Sequence, residues 1–449
     1  MSITLRNIKV WNTGEVIDLV VPGTAAAYFA DTSAVADGAD IDATGLTVAP
    51  GFEDPHVHFR DPGQTYKESM VSGCRASASG GYTNVLIMPN TLPALDGQTV
   101  SDPEATGAKE VLDAGFDNVI DFLQQYDTAH DVQLPVRYDL CVCASKDRAG
   151  HEASDVADWL KYVPGFEDDA KTPAMLTHPI TAISDDGSAV TPEILDQVLE
   201  NVKASDLYLI EHCEHHDTGA VNEGPVSREL GVPGIPEDTE LKIVARDIEA
   251  ARRTGVHVHF QHVSTAISFE AIRKAKAEGL PITCETAPHY LIFNDMDLKE
   301  SGNFKMNPPI RSEEDRQALI EGIRDGTIDM IATDHAPHGY DEKSRGLENS
   351  LMGVVGLETA FPVLYTYLVK KGIITLEKLI ELMAINPRRR FGITQTEDIC
   401  VYDLQSEYII DPCEFKSKGK STPFDGMTVS GKNLLTICGG KAVWNITEN

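Results

Sequence analysis

Two histidines one residue apart, His56 and His58, have the types and spacing to bind a metal ion. They follow a short apolar segment, and alternate residues of a β-strand place their side chains on the same face. Two imidazoles on one face can bind one ion from the same side. Arg60 continues the alternation, and its guanidinium suits a carboxylate or phosphate group. The spacing therefore suggests hydrolysis of an anionic substrate.

A His-x-His pair also occurs by chance on surface strands, so alone it is weak evidence for a metal site. Further polar clusters follow other apolar segments of the chain. They are Pro89-Asn90-Thr91, Asp185-Asp186-Gly187, His212-Cys213-Glu214, His262-Val263-Ser264, Pro288-His289-Tyr290 and Asp334-His335-Ala336-Pro337-His338. Singly, each has a structural explanation as a turn, a helix cap or a buried histidine. Together they favour a metal site.

The order of the predicted elements indicates how these clusters meet. Between residues 49 and 397, short apolar segments alternate with amphipathic helical segments. The predicted strands are 47–59, 82–88, 136–142, 174–183, 207–213, 256–263, 282–287 and 330–333. This alternation predicts a (β/α)₈ TIM barrel, an α/β fold whose active sites lie at the C-terminal ends of the strands. Each cluster closes one predicted strand, so all of them would share one mouth.

The two ends of the chain have a different pattern. Residues 1–48 and the tail from about residue 399 contain short strand-like segments, including 26–30, with turn residues between them. We predict a small β-sandwich domain formed by both termini, residues 1–48 plus 398–449, beside a metal-dependent barrel of residues 49–397. The segment 98–172 is long, acidic and irregular, which indicates an insertion.

The composition excludes several classes of function. The chain has 449 residues, of which 42% are hydrophobic and 24% charged, as in soluble globular proteins. It has no apolar run of about 18 residues and no signal region, so we expect no membrane partner and a cytoplasmic location. A net charge of −32 argues against nucleic acid. The scattered cysteines favour reduced thiols over disulfides.

The ligand types indicate the metal and its chemistry. Imidazole and carboxylate groups suit Zn²⁺ or a similar divalent ion, which lowers the pKa of a bound water toward 7. Asp334 is then placed to take a proton from that water and return it to a leaving nitrogen. One or two ions fit this set: His56, His58 and Asp334 for the first, His212 and His262 for the second, and Asp186 as a bridge.

Seven motifs carry a family resemblance. They are His56-Val57-His58-Phe59-Arg60-Asp61-Pro62-Gly63, Met88-Pro89-Asn90-Thr91, Ser184-Asp185-Asp186-Gly187, Glu211-His212-Cys213, His262-Val263-Ser264, Lys305-Met306-Asn307-Pro308-Pro309 and Asp334-His335-Ala336-Pro337-His338. As a set they resemble those of class I dihydroorotases in the amidohydrolase superfamily. The resemblance implies zinc-dependent, reversible interconversion of N-carbamoyl-L-aspartate and L-dihydroorotate in de novo pyrimidine (UMP) biosynthesis.

The resemblance also implies roles for single residues. The metal ligands would be the six residues given above, with Asp186 rather than Asp185 as the bridge and Asp334 as the catalytic residue. The substrate would be bound by four residues, with the first two on its ring carboxylate: Arg60, Asn90, Asn307 and His338. The segment 339–349 has the composition of either a mobile lid or a solvated loop.

Two other functions stay open. Hydantoinases, dihydropyrimidinases and allantoinases share the barrel and the histidines, but they typically use a carboxylated lysine as the bridge and lack the counterpart of Arg60. The other alternative is a non-catalytic, dihydroorotase-like partner of aspartate transcarbamoylase, a role that has no need of metal ligands. The resemblance also leaves open docking of an active enzyme to aspartate transcarbamoylase and assembly into a homo-oligomer.

Overall fold

A computed structural model of the chain describes residues 2–22, 39–166, 177–215, 219–393 and 398–445. In these ranges the strands are β1 Ser2–Val10, β2 Val16–Pro22, β3 Ala39–Asp42, β4 Leu46–Pro50, β5 Phe52–Val57, β6 Tyr82–Ile87, β7 Arg137–Cys143, β8 Ile180–Ser184, β9 Tyr208–Glu211, β10 Val221–Asn222, β11 Gly234–Ile235, β12 Val258–Phe260, β13 Ile282–Thr286, β14 Met330–Ile331, β15 Ile399–Asp403, β16 Tyr408–Ile409, β17 Thr428–Val429, β18 Lys432–Cys438 and β19 Lys441–Asn445. The α-helices are Met70–Gly80, Ala108–Asp113, Val119–Gln124, Tyr126–His130, Val156–Trp159, Leu195–Ser205, Pro225–Leu230, Asp238–Thr254, Ala266–Ala277, Pro288–Ile292, Glu313–Asp325, Tyr340–Lys343, Gly346–Asn349, Ala360–Leu364, Leu376–Ile380 and Asn386–Arg390.

Eight parallel strands form the barrel, in the order β5-β6-β7-β8-β9-β12-β13-β14. The segment that follows the last strand returns beside the first, because Val57 pairs with His335 and the His58 N–H donates to the His335 carbonyl at 2.9 Å. Strands β5, β6 and β8 are buried along their whole length, as expected for parallel strands covered by helices. The predicted (β/α)₈ barrel is confirmed.

The predicted barrel strands are all present, with one correction at the first. The prediction 47–59 spans two strands, since β4 belongs to the terminal sheet and only β5 enters the barrel. Gly51 separates them, and a Cβ there would lie 2.5 Å from Thr83 Cγ2, which favours glycine at this crossing. The fourth prediction begins at residue 174, and residues 174–176 lie outside the described part of the chain.

Strands from both ends of the chain form one seven-stranded sheet, in which β15 pairs with both β4 and β18 and β3 pairs with β1. Ile3, Leu5, Ile8, Val401 and Leu435 belong to its own buried apolar cluster. The prediction that both termini join in one small β domain is confirmed; its strands form a single sheet where the prediction was a β-sandwich. The domain bounds 1–48 with 398–449 and 49–397 stay a prediction, and the predicted strand 26–30 lies outside the described residues.

The acidic segment after residue 98 is more regular than the sequence indicates. Four short helices flank β7 there: Ala108–Asp113, Val119–Gln124, Tyr126–His130 and Val156–Trp159. Asn118 and Asp155 accept hydrogen bonds at two helix starts, so some of its polar residues are helix caps. All eight cysteines are free, and all but Cys413 are buried. Within the described ranges, no helix is both long and apolar enough to cross a bilayer.

Candidate metal centre

The predicted metal ligands meet at the C-terminal mouth of the barrel. They form two groups, in each of which the ligand atoms lie within 4.8 Å of one another. The first group is His56, His58 and Asp186, and the second is Asp186, His212 and His262. Asp186 belongs to both groups, which is the position expected of a bridging carboxylate. The side chains come from the ends of four barrel strands, as the fold class predicts.

Asp334 joins the first group from the end of β14. Its Oδ1 lies 3.2 Å from His58 Nε2 and 3.6 Å from His56 Nε2. Two of the predicted ligands lie on strained backbone, because His262 has φ 30° and Asp334 has φ 47° without being glycine. Such a conformation costs on the order of 1–3 kcal/mol and persists where the surroundings fix it. These two bends end strands and turn both side chains toward the centre.

The two adjacent aspartates have different environments. Asp186 Oδ2 lies 3.2 Å from His56 Nε2 and 3.5 Å from His212 Nδ1. Asp185 turns away and accepts hydrogen bonds from the Ser145 N–H at 2.9 Å and from Ser145 Oγ at 2.6 Å. The geometry therefore places Asp186, and not Asp185, beside the histidines; its role as the bridge stays a prediction.

In three of the imidazoles, the outer ring nitrogen, which is the one that faces away from the centre, forms a hydrogen bond with a protein group. The pairs are His56 Nδ1 with Glu285 Oε1 at 2.8 Å, His58 Nδ1 with Asn90 Oδ1 at 3.0 Å and His212 Nε2 with Glu214 Oε2 at 3.3 Å. A neutral imidazole carries one proton, and a proton on the outer nitrogen leaves the inner nitrogen with its lone pair toward the centre. Such outer bonds are what orients histidine ligands in metal sites.

The donor set fits a divalent metal. Within the described part of the chain, His56 Nε2 and Asp186 Oδ2 are buried and face each other at 3.2 Å, but their geometry does not form a hydrogen bond. Buried polar atoms without a partner are costly unless a ligand satisfies them. Imidazole nitrogens and carboxylate oxygens without thiolates are the ligands of catalytic zinc sites and similar divalent centres.

The ionisation states of the carboxylates and of His262 suit metal binding, whereas His212 would have to release a proton to a bound ion, because against the effect of burial its bonds to Asp186 and Glu214 raise its pKa to about 10. Burial opposes ionisation of Asp186 and Asp334, but the neighbouring histidines hold the pKa of Asp186 well below its usual range. Against the same burial effect, His58 and His56 lower the pKa of Asp334 to about 2. Burial, together with His212 and His56, lowers the pKa of His262 to about 3. The carboxylates are thus anionic and His262 is neutral at pH 7, as metal ligands must be.

A cavity of about 310 Å³ opens beside these ligands. All four predicted substrate residues line it, and its lining includes Arg60, Asn90, Asn307, His338, Asp334, Glu214, Met352 and Gly353. Among the described residues, Arg60 Nε is buried and has no hydrogen-bond partner. An anion in the cavity would satisfy it, and the predicted carboxylate-binding role stays a prediction.

The other three substrate candidates also contact protein groups. Asn90 Oδ1 is engaged by His58, so its amide N–H groups are the part that can face a ligand. Asn307 Nδ2 lies 3.5 Å from His212 Nε2. His338 Nε2 donates to the Met352 carbonyl at 2.7 Å, while its Nδ1 lies 3.3 Å from Lys67 Nζ. Both nitrogens of His338 therefore have protein partners.

Some residues around the centre were not identified from the sequence. Glu285 is fully buried on β13 and contacts both His56 and His259. An acidic residue inside an apolar strand is unusual, and this signal was present in the predicted strand 282–287. Glu214 belongs to the His212-Cys213-Glu214 cluster, but no role was predicted for it. Lys67 had no comparable signal, because its partners come from a distant part of the chain.

Comparisons with known proteins identify the family. The model of the amidohydrolase family matches residues 47–443. The dihydroorotase of Anoxybacillus flavithermus is 38% identical over 460 residues, covering 99% of each chain. The dihydroorotase of Listeria innocua is 37% identical over 460 residues, again covering 99% of each chain.

Solved structures agree on the fold. The dihydropyrimidinase from Brevibacillus agri NCHU1002 aligns with a TM-score of 0.75 at 19% identity, covering 99% of this chain and 95% of that one. The L-hydantoinase from Arthrobacter aurescens aligns with a TM-score of 0.71 at 24% identity, covering 99% of this chain and 96% of that one. At these identities the likeness concerns the fold alone. The chain belongs to the amidohydrolase family, and its resemblance to dihydroorotases, first seen in seven motifs, extends over its full length.

Proposed function

We propose that the protein is a zinc-dependent dihydroorotase, which interconverts N-carbamoyl-L-aspartate and L-dihydroorotate in pyrimidine synthesis. The observation that carries this proposal is the presence, in one cavity, of the metal-ligand groups and of Arg60 with its buried, unpaired Nε. A metal centre alone suits any cyclic-amide hydrolase. A guanidinium with a buried, unpaired Nε suits a substrate with a carboxylate on its ring, and dihydroorotate carries one where dihydrouracil has hydrogen.

The six residues of the centre would hold one or two zinc ions. His56, His58 and Asp334 would hold the first, His212 and His262 the second, and Asp186 would be shared between them. Bound zinc supplies the Lewis acidity that makes water nucleophilic at neutral pH. The outer bonds to Glu285, Asn90 and Glu214 keep the imidazoles in the orientation that this binding requires.

Asp334 is the proposed catalytic residue. It lines the cavity, and with a pKa of about 2 it is ionised at neutral pH. In the hydrolytic direction, water adds to the ring amide carbonyl and Asp334 accepts the proton that the water loses. The C–N bond then breaks, and Asp334 returns the proton to the released nitrogen. Ring closure follows the same steps in reverse.

The substrate carboxylate would be bound by Arg60 and by the amide N–H groups of Asn90. Asn307 and His338 line the same cavity and would contact the rest of the ring. Because the chain has a net charge of −32, its overall field repels an anion, and this local positive group is needed for capture. A cytoplasmic location, docking to aspartate transcarbamoylase and self-association stay predictions from the sequence.

Substrate turnover tests the proposal. Purified, zinc-loaded protein is given L-dihydroorotate, dihydrouracil, hydantoin and allantoin in parallel, and ring opening is followed by absorbance. We expect turnover of L-dihydroorotate and little or none of the neutral rings. Turnover of a neutral ring without turnover of L-dihydroorotate would place the protein with the hydantoinase-type enzymes. Inactivity on all four substrates would favour the non-catalytic partner.

A further inference from the structure

The Lys343 side chain connects three stretches of main chain beside the cavity. Its Nζ donates to the carbonyl oxygens of Lys305 at 2.8 Å, Leu351 at 2.8 Å and Gly353 at 2.7 Å. Lys343 is only 7% exposed. In its charged form the Lys343 amino group has three donors, so backbone oxygens use all three and none is left for solvent. Burial and the nearby charge of Lys305 lower the pKa of Lys343 to about 7.

Burying the Lys343 ammonium group costs free energy, so its presence calls for a role in fixing the backbone. In the described part of the chain, Lys343 forms no ion pair with a carboxylate, although it is buried. Removing an ammonium from water costs several kcal/mol, and carbonyl dipoles offset only a part of that cost. A methionine of similar length would fill the same volume without this cost. What methionine lacks is the ability to hold three separate carbonyl groups in one place.

The three carbonyl groups belong to the loops that carry substrate candidates. Lys305 lies two residues before Asn307, and its carbonyl also accepts the Gly353 N–H at 3.1 Å. Leu351 and Gly353 flank Met352, whose carbonyl accepts the hydrogen bond from His338 Nε2. Fixing these backbone positions therefore fixes both Asn307 and His338 at the cavity wall.

We infer that Lys343 is a positioning residue, which holds the Asn307 loop and the Met352 loop in their substrate-binding arrangement. The inference rests on the proposed function and adds a residue to it. Lys343 acts through Asn307 and His338, because its ammonium is enclosed by the carbonyls and does not line the cavity. The segment after His338, predicted as a lid or a solvated loop, is thus fastened by Lys343 to the two neighbouring loops.

Lys343→Met in the zinc-loaded enzyme tests the inference. We expect kcat/KM for L-dihydroorotate to fall by about 10- to 100-fold, mainly through KM, because displacing substrate-contacting groups by about 1 Å has effects of this size. Zinc content should stay at the wild-type level, since none of the metal candidates contacts Lys343. Arg345→Met is the matched control on the same segment, because Arg345 Nε bonds within the segment, to the Asp341 carbonyl, and the residue is exposed.

Hydrogen exchange separates positioning from general loss of structure. We expect faster amide exchange in Lys343→Met around residues 302–309 and 350–354, with the barrel strands unchanged. Lys343→Gln, which keeps two N–H donors, is measured in parallel and should show a smaller fall in kcat/KM and a smaller rise in amide exchange. It also serves as the test if the methionine variant does not fold. A wild-type KM in both variants would overturn the inference. So would a raised KM accompanied by an equal loss of zinc and by faster amide exchange throughout the barrel. Wild-type enzyme inactive on L-dihydroorotate would contradict the proposed function instead, and the exchange experiment would still test the fastening.

Discussion

Replacement of Glu285 by glutamine should weaken metal binding without removing any proposed ligand. The Glu285 carboxylate accepts from His56 Nδ1 at 2.8 Å and from His259 Nε2 at 3.0 Å. Burial opposes its ionisation, but His259 and His56 lower its pKa to about 2, so it is anionic at neutral pH. Glutamine has one acceptor oxygen and no charge, so at most one of the two imidazoles keeps its bond.

The expected loss follows from this change. Removing an outer-shell partner of a histidine ligand lowers metal affinity about 10- to 100-fold, or about 1.4 to 2.8 kcal/mol. The assay is competition for Zn²⁺ between the metal-free protein and a chromophoric chelator, which gives the dissociation constant. The control is Glu53→Gln, because Glu53 is equally buried on β5 but bonds to Asn84 and touches no metal candidate. An unchanged dissociation constant for Glu285→Gln, or an equal loss for Glu53→Gln, would refute the reasoning.

Three further predictions concern catalysis, stability and the bridging aspartate. Asp334→Asn should lower kcat by about 10²- to 10⁴-fold in the metal-loaded protein, since general base catalysis contributes about that much; a kcat within tenfold of wild type would exclude Asp334 as the base. Burial lowers the pKa of His178 to about 4, against the effect of its bond to the Tyr138 carbonyl. Its stabilisation is complete above pH 6.5 and decreases as the pH falls toward 4, because the unfolded chain binds the proton first. Urea unfolding at pH 7 and pH 4.5 should show that the free energy of unfolding of His178→Gln falls by roughly 2 kcal/mol less than that of wild type on acidification, and equal decreases would contradict this. Gly187→Ala should lower zinc content, because Gly187 has φ 84° and a Cβ there would lie 2.9 Å from Arg148 Nη1, next to Asp186; full zinc occupancy would show that the turn adapts.

The barrel was predictable because its signal is repeated along the chain. Few folds other than a barrel accommodate eight apolar segments that are each followed by a helix, and the polar clusters at the strand ends indicated which end of the barrel carries the site. The boundary between β4 and β5 was not predictable, since periodicity identifies a strand but not the sheet that it joins. Likewise, alternation alone cannot decide between adjacent Asp185 and Asp186, because the choice depends on where β8 ends and how the chain turns.

The residues that support the centre were harder to identify. Glu285 and Glu214 contact imidazoles, and their position beside known clusters was a weak signal. Lys343 had none, because its partners are backbone carbonyls and any residue could supply them. Asn90 was predicted to bind the substrate carboxylate. In the structure its Oδ1 is hydrogen-bonded to His58, which lies 32 positions away in the sequence. Such partners depend on tertiary packing, which local patterns do not encode.

The central claim is that Arg60 makes this metal centre specific for a ring carboxylate. The most direct test is the ratio of kcat/KM for L-dihydroorotate to that for dihydrouracil, which differ only in this carboxylate, in wild type and in Arg60→Met. We predict a wild-type ratio of about 10³ or more, since a site built for a polar group strongly rejects the analogue that lacks it. In Arg60→Met the ratio should fall toward 1 with zinc content unchanged. A wild-type ratio near 1, or an Arg60→Met ratio equal to that of wild type, would contradict the account.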